Sequence, residues 1–165
     1  MNELIKKFYQ IRDLPYHIST NNELGSDCED KAKMLVAAAK SLGFEARTRI
    51  ALFDWEVLHL PNEVTRVPHD SECSHFFVEL RKPDGTWINL DPTWNKELSA
   101  AGLAVQEWDG EQSTSLAMEV KEILSPEESQ KYIENIDYEE DYRINRAFYE
   151  AINSYCDSFL TKGAK

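Results

Sequence analysis

Residues 25–53 read GSDCEDKAKMLVAAAKSLGFEARTRIALF, and a change of rhythm inside this stretch decides the fold. In its first part Ala32, Leu35, Val36, Ala39 and Leu42 recur three or four residues apart, the period of a helix with one apolar stripe. Ser26 and Glu29 have the S-x-x-E spacing of a capping box, and Gly43 stands where a left-handed C-terminal cap belongs. These signals predict a helix from about Asp27 to Leu42. Cys28 then falls in its first turn, one turn before Ala32 and on the buried side. After Gly43 the period shortens to two: Ala46, Thr48, Ile50 and Leu52 alternate with Arg47 and Arg49, as on a strand.

Working outward, NELIKKFYQIRDL at residues 2–14 carries Leu4, Ile5, Phe8 and Ile11 at helical spacing, with Asn2 as a candidate cap and Pro15 as a stop. Downstream, HFFVEL (75–80) and TWINL (86–90) are strand-like runs joined by RKPDG (81–85), whose Asp-Gly pair suits a hairpin turn. The interval from Asp54 to Ser74 reads as a long loop with one irregular strand in EVLHL. Ser125, Pro126 and Glu128 start a helix. A last helix carries Ile144, Phe148, Ile152, Tyr155 and Phe159. No repeat or linker interrupts the chain, so 1–165 reads as a single domain.

Composition agrees. With 165 residues, 42% hydrophobic, and 4 Trp, 7 Tyr and 7 Phe, the chain has material for one well-filled core. The net charge of −12 repels nucleic acid. Between residues 105 and 143, twelve acidic residues face only Lys121, Lys131 and Arg143. That stretch reads as a solvated face, with a preference for cationic substrates as the alternative. The opening MNELIKKFYQ lacks an apolar core and cleavage site, and no run approaches the ~18 apolar residues of a membrane span, so a cytoplasmic protein is expected. Three cysteines do not look like a disulfide framework, which leaves each as a core residue, a ligand or a nucleophile.

A thiol at a helix N-terminus is favoured as thiolate by the unpaired N–H groups, but Asp27, Glu29 and Asp30 oppose that effect, so a cationic partner is required. Among His17, His59, His69 and His75 only His75 opens a strand, sharing a face with Phe77 and Glu79. A turn centred near Pro83 to Gly85 brings it close to Asp91 at the end of the next strand. Cys28, His75 and Asp91 are thereby a nucleophile, a base and an orienting acid, the set that acyl transfer through a thioester requires. Taken singly, each has a structural explanation: a small core thiol, a hydrogen-bonded histidine, an Asp ending a strand before Pro92.

Together with SHFFVELRKPDGTWINLDPTW at residues 74–94, the opening stretch resembles the core of the transglutaminase-like superfamily. There a Cys opens a helix, an "LG-apolar-x-A-R" passage leads into a strand, a His begins a strand, and an Asp precedes Pro-Thr. RDLPY before the helix and WDG at 108–110 extend the likeness to bacterial members over about residues 8–112, with a helical extension over about 125–162 outside it. The resemblance implies an α+β, papain-like fold: a nucleophile helix packed on an antiparallel sheet, with Cys28, His75 and Asp91 as catalytic triad and no cofactor or metal. It further implies a cysteine-dependent protease, amidase or acyltransferase whose partner is a protein or peptide with an amide bond. Eukaryotic relatives stabilise the oxyanion with a tryptophan upstream of the nucleophile. None precedes Cys28, so the second donor beside the Cys28 N–H falls to Tyr16, Asn21 or Asn22, and hydrolysis is expected over cross-linking.

Three other readings compete. His69, Cys73 and His75 with Cys28 are candidate zinc ligands, although H-x3-C-x-H lacks the paired spacing of structural sites. A catalytically silent binding module would dock partners on the loop from Asp54 to Ser74, on the acidic C-terminal region, or through Trp55, Trp87, Trp94 and Trp108. Arylamine-type acetyl transfer shares the Cys-His-Asp order but needs a basic coenzyme A pocket, for which no cluster is present.

Overall fold

Helix α1 (Asn2–Arg12) buries Leu4, Phe8 and Ile11 along one face. It starts directly after Met1 with no side-chain cap, so Asn2 is its first residue and not the expected cap. The computed structural model describes residues 1–20 and 25–160. Helix α2 (Cys28–Ser41) begins one residue later than its sequence signals suggest. Asp27 is the N-cap, its carboxylate accepting the Glu29 and Asp30 N–H groups at 2.9 and 3.1 Å. Ser26 is diverted from the expected capping box and bonds the Pro15 carbonyl. A carboxylate at this end also gains from the helix dipole, which an alcohol does not. Gly43, at φ +82°, closes the helix: its own N–H reaches the Lys40 carbonyl and the Phe44 N–H that of Ala39, both at 3.0 Å.

Strand β1 (Glu45–Asp54) runs antiparallel to β2 (Glu72–Arg81) over ten pairs, from Glu45 opposite Arg81 to Asp54 opposite Glu72. Between them the chain makes a 3-10 turn at Trp55–Leu58 and the short helix α3 (Asn62–Thr65). The irregular strand expected in EVLHL is therefore absent. Trp55 turns inward onto Phe53 and Phe148, with ring centroids at 5.0 and 5.1 Å, and takes the backbone out of the sheet. β2 continues through the hairpin to β3 (Trp87–Leu90), in register from Arg81 opposite Trp87 to Val78 opposite Leu90. Gly85, at φ +88°, makes the turn, and Asp84 accepts the Thr86 N–H at 2.9 Å. A two-residue strand, β4 (Glu122–Ile123), pairs with the free edge of β1, giving the sheet order β3-β2-β1-β4. It carries too little pattern to be read in advance.

Ser125, Pro126 and Glu128 do form a complete capping box at the start of α4 (Pro126–Glu134). Helix α5 (Tyr138–Leu160) follows. One core joins α1 and α2 to Phe76, Val78 and Leu80 of β2. The other joins Phe148, Ile152 and Cys156 of α5 to Tyr16, Phe53, Trp55 and Trp94. The fold is α+β, with a curled antiparallel sheet against which the cysteine-bearing helix packs. No described helix is long and apolar enough to cross a membrane.

Candidate active site

A cavity of about 440 Å³ lies where the N-terminus of α2, the start of β2 and the beginning of α5 converge, and both Cys28 and His75 line it. Cys28 is the first residue of α2, and the Asp27 carboxylate occupies the next two N–H groups without touching the Cys28 N–H. Cys28, partly buried, packs against the core that α1 and α2 share with β2. Burial raises its thiol well above the ordinary value, and Asp27 raises it further, while the Phe76 N–H works the other way. The helix terminus therefore does not favour a resting thiolate, and a nucleophilic role for Cys28 would require a base.

The candidate base, His75, is placed by the hairpin. The β2–β3 register sets Asp91, one residue past β3, opposite Phe77 and hence diagonal to His75 on the same face. His75 Nε2 meets Asp91 Oδ2 at 2.7 Å, and both side chains are fully buried. The same Oδ2 accepts the Ala117 N–H at 2.7 Å, while Oδ1 accepts from the Thr93 N–H and Oγ1 at 3.2 and 2.6 Å. Burial pushes the Asp91 carboxyl up, but the imidazole and these three donors outweigh it and hold the group below its usual range. An ionised carboxylate only accepts, so the proton of the neutral imidazole sits on Nε2 and Nδ1 is left with its lone pair. Nδ1 is buried and has no hydrogen-bond partner.

His75 is the fourth residue of β2 and not its first, and Cys73, expected in a loop, is on the same strand two residues earlier and lines the same cavity. Burial pushes the Cys73 thiol up to about 12. Cys156 lies on the buried face of α5, as its periodicity suggests, also pushed up to about 12 by burial. Tyr16 lines the cavity, buried against Trp94 with ring centroids 4.5 Å apart. Burial first, then the Cys28 sulfur, raises its phenol well above the ordinary value, which keeps the hydroxyl a donor. Asn21 and Asn22 lie outside the described residues.

Sequence reasoning passed over two supports. Thr93 is legible in hindsight, because an Asp two residues before a Thr readily folds back on its N–H and hydroxyl. Lys31 is the other: fully buried, three residues after Cys28, its Nζ donates to the carbonyls of Arg12, Leu14 and Thr93 at 2.8, 2.6 and 2.9 Å. Burial pushes it down to about 7 against the pull of Asp13, Asp27 and Asp91. The three carbonyls match the three donors of an ammonium, and they lash α2 to the segment that carries Asp91. The positions 28, 31, 32, 35 and 39 share one helical arc, which was the available signal.

The zinc set does not assemble. His69 stacks on Phe148, ring centroids 3.7 Å apart, with its Nδ1 2.6 Å from the Val67 carbonyl, and no group of three metal-capable side chains gathers among the described residues. The tryptophans offer little surface: Trp55, Trp94 and Trp108 are buried, and Trp87 lies under the Arg47 guanidinium. No curated protein and no solved structure compared with the chain gives a match. The model of the transglutaminase-like superfamily matches residues 6–92, over half the chain and spanning Cys28, His75 and Asp91, and the protein belongs to that superfamily.

Proposed function

We propose that the protein is a cysteine-dependent hydrolase or acyltransferase that cleaves amide or peptide bonds through a thioester on Cys28, hydrolysis being favoured over cross-linking. One observation carries this reading: a fully buried imidazole whose Nε2 is held by Asp91 at 2.7 Å and whose Nδ1 has no partner, in the cavity that also holds the thiol. A purely structural histidine would be expected to spend both nitrogens on hydrogen bonds.

In this reading Cys28 Sγ attacks the substrate carbonyl carbon as its proton passes to His75 Nδ1. The imidazolium is steadied by Asp91, whose four accepted hydrogen bonds fix its orientation. The oxyanion takes the Cys28 N–H and the Tyr16 hydroxyl as donors. Collapse breaks the C–N bond, the amine leaves with the proton from His75, and a thioester remains. Water, or a second amine, attacks it with His75 again taking the proton, and the thiol is restored. The acyl donor is a protein or peptide, the whole chain 1–165 acts as one domain, and no cofactor enters any step. The test is turnover of peptide, isopeptide and glutamine-amide substrates by the wild type and Cys28→Ala. Turnover by wild type alone is expected; full activity in the variant, or none in either with tight binding of a partner, favours a silent binding module.

A further inference from the structure

The cavity around Cys28 has walls of one charge. Asp27, Asp70, Asp137 and Asp141 line it together with Glu29 and Glu72, and among the described residues no lysine or arginine does. Glu29 and Glu72 are offset from outside by Lys33 and Lys121. The four aspartates are not: among the described residues none forms an ion pair, the buried Lys31 that attracts Asp27 spends its donors on three carbonyls, and the donors the aspartates meet are neutral. Asp27 takes backbone N–H groups, Asp137 takes the Glu140 N–H at 3.0 Å, and Asp141 takes Asn145 Nδ2 at 2.9 Å and the Tyr149 hydroxyl at 2.8 Å. Aromatic side chains line the cavity as well, among them Tyr16, Trp94, Tyr142 and Tyr149. Independently, the buried Nδ1 of His75, unpartnered, marks this cavity as a place where a ligand is to be met.

We propose that the substrate of this site carries an ammonium or guanidinium group, so that the amide cleaved at Cys28 belongs to a basic peptide or a cationic amide. The proposal rests on the catalytic reading above and adds the charge of its substrate. Carboxylates of one sign gathered along a cleft focus a negative potential, and tyrosine and tryptophan rings attract cations without a neutralising counter-ion. An anionic occupant would meet the same four aspartates with no donor cation to offset them. The field also has a consequence for the nucleophile: burial, then Asp27, keeps Cys28 protonated, and a cation lodged among the carboxylates removes the second of these obstacles. A cationic substrate thus helps generate the thiolate that attacks it.

The test uses the full chain with Cys73→Ser and Cys156→Ser, so that Cys28 alone reports. Its modification rate is measured with two methanethiosulfonates of similar size, one bearing a trimethylammonium and one a sulfonate, each divided by its rate with 2-mercaptoethanol. In both, the Cys28 sulfur bonds the reagent's sulfur and methanesulfinate leaves. The expected normalised preference for the cation is about tenfold or more at low salt, falling toward one at 1 M salt, where the screening length shrinks to ~3 Å. Asp70→Asn with Asp137→Asn, rim changes of which the second keeps a capping side chain, lowers it several-fold. A preference at or below one, a preference the double variant leaves untouched, or no modification by either reagent overturns the proposal. Cleavage of neutral and acidic peptides as readily as basic ones also overturns it while the catalytic reading stands. A cation preference with no cleavage of any amide leaves the site cation-selective and removes the catalysis.

Discussion

The cavity has two walls, and they were not equally readable. One is built from residues 27 to 94: the first turn of α2, β2, and the turn after β3. The other is built from α4, α5 and the chain between them, residues 132 to 149. In the first wall the placements of Cys28, His75 and Asp91 follow from short-range rules. A cap sets where α2 begins, strand alternation sets the face of His75, and a five-residue turn sets the register that delivers Asp91. In the second, helix periodicity foretold α4 and α5 but not where they dock, because docking is decided by which apolar stripe meets which core. The candidate triad is written locally in this protein, and the shape and charge of its pocket are written at long range.

Removing the chemistry of the first wall has the largest expected effect. Cys28→Ala abolishes amide or ester turnover while circular dichroism and melting temperature stay near those of the wild type. Asp91→Asn slows turnover on the order of 10⁴-fold, because the carboxylate orients His75 and does not itself react. Steady-state kinetics on folded protein checks both; Asp91→Asn at wild-type rate removes Asp91 from the mechanism.

The second wall is broken by packing. Phe148 is fully buried on α5, between Trp55 and the His69 ring. Phe148→Ala is expected to destabilise the protein by about 3–5 kcal/mol, read from denaturant melts. A loss under ~1 kcal/mol would mean α5 is not docked on that core.

The same contrast explains what the sequence showed and withheld. The thiol, histidine and carboxylate were legible because helix and hairpin periodicities carry each to its place within a few residues. The Ala117 N–H on Asp91 was not, since it comes from an irregular segment 26 residues away in the chain. Cys73 was put in a loop because the ten-pair β1–β2 ladder reaches farther into the acidic interval than its composition suggests. The capping box at Ser26 failed where that at Ser125 held, because only the first had an Asp next to it to take the N–H groups.

A smaller effect sharpens the electrostatic side of the comparison. Burial, with Asp30 and Glu29 nearby, raises the Asp27 carboxyl to about 7. Its folded value lies above its unfolded one, so between the two the folded state binds the extra proton, and stability falls as pH rises through that window. Asp27→Asn keeps the cap and removes the penalty. The variant is expected to match wild type near pH 4, to gain through pH 7, and to level off above it at about 1–2 kcal/mol, less than the full linkage value because Asp27 is only half-buried. A constant offset across pH contradicts the raised value. Smallest of all, Gly43→Ala, at φ +82° with open space around the added methyl, costs about 1 kcal/mol of stability from backbone conformation alone.

The central claim is that Cys28 is a nucleophile served by His75, and acylation by an activated ester tests it without knowledge of the natural substrate. Wild type and His75→Ala are mixed with p-nitrophenyl acetate, nitrophenolate release is followed, and the acetylated cysteine is located by mass spectrometry after acid quench. The expected result is a burst of one equivalent with the acetyl group on Cys28, and a burst slowed at least 100-fold in His75→Ala, the loss that removal of a positioned base entails. Acetyl groups spread evenly over Cys28, Cys73 and Cys156, or a Cys28 acylation rate that His75→Ala leaves unchanged, would contradict it.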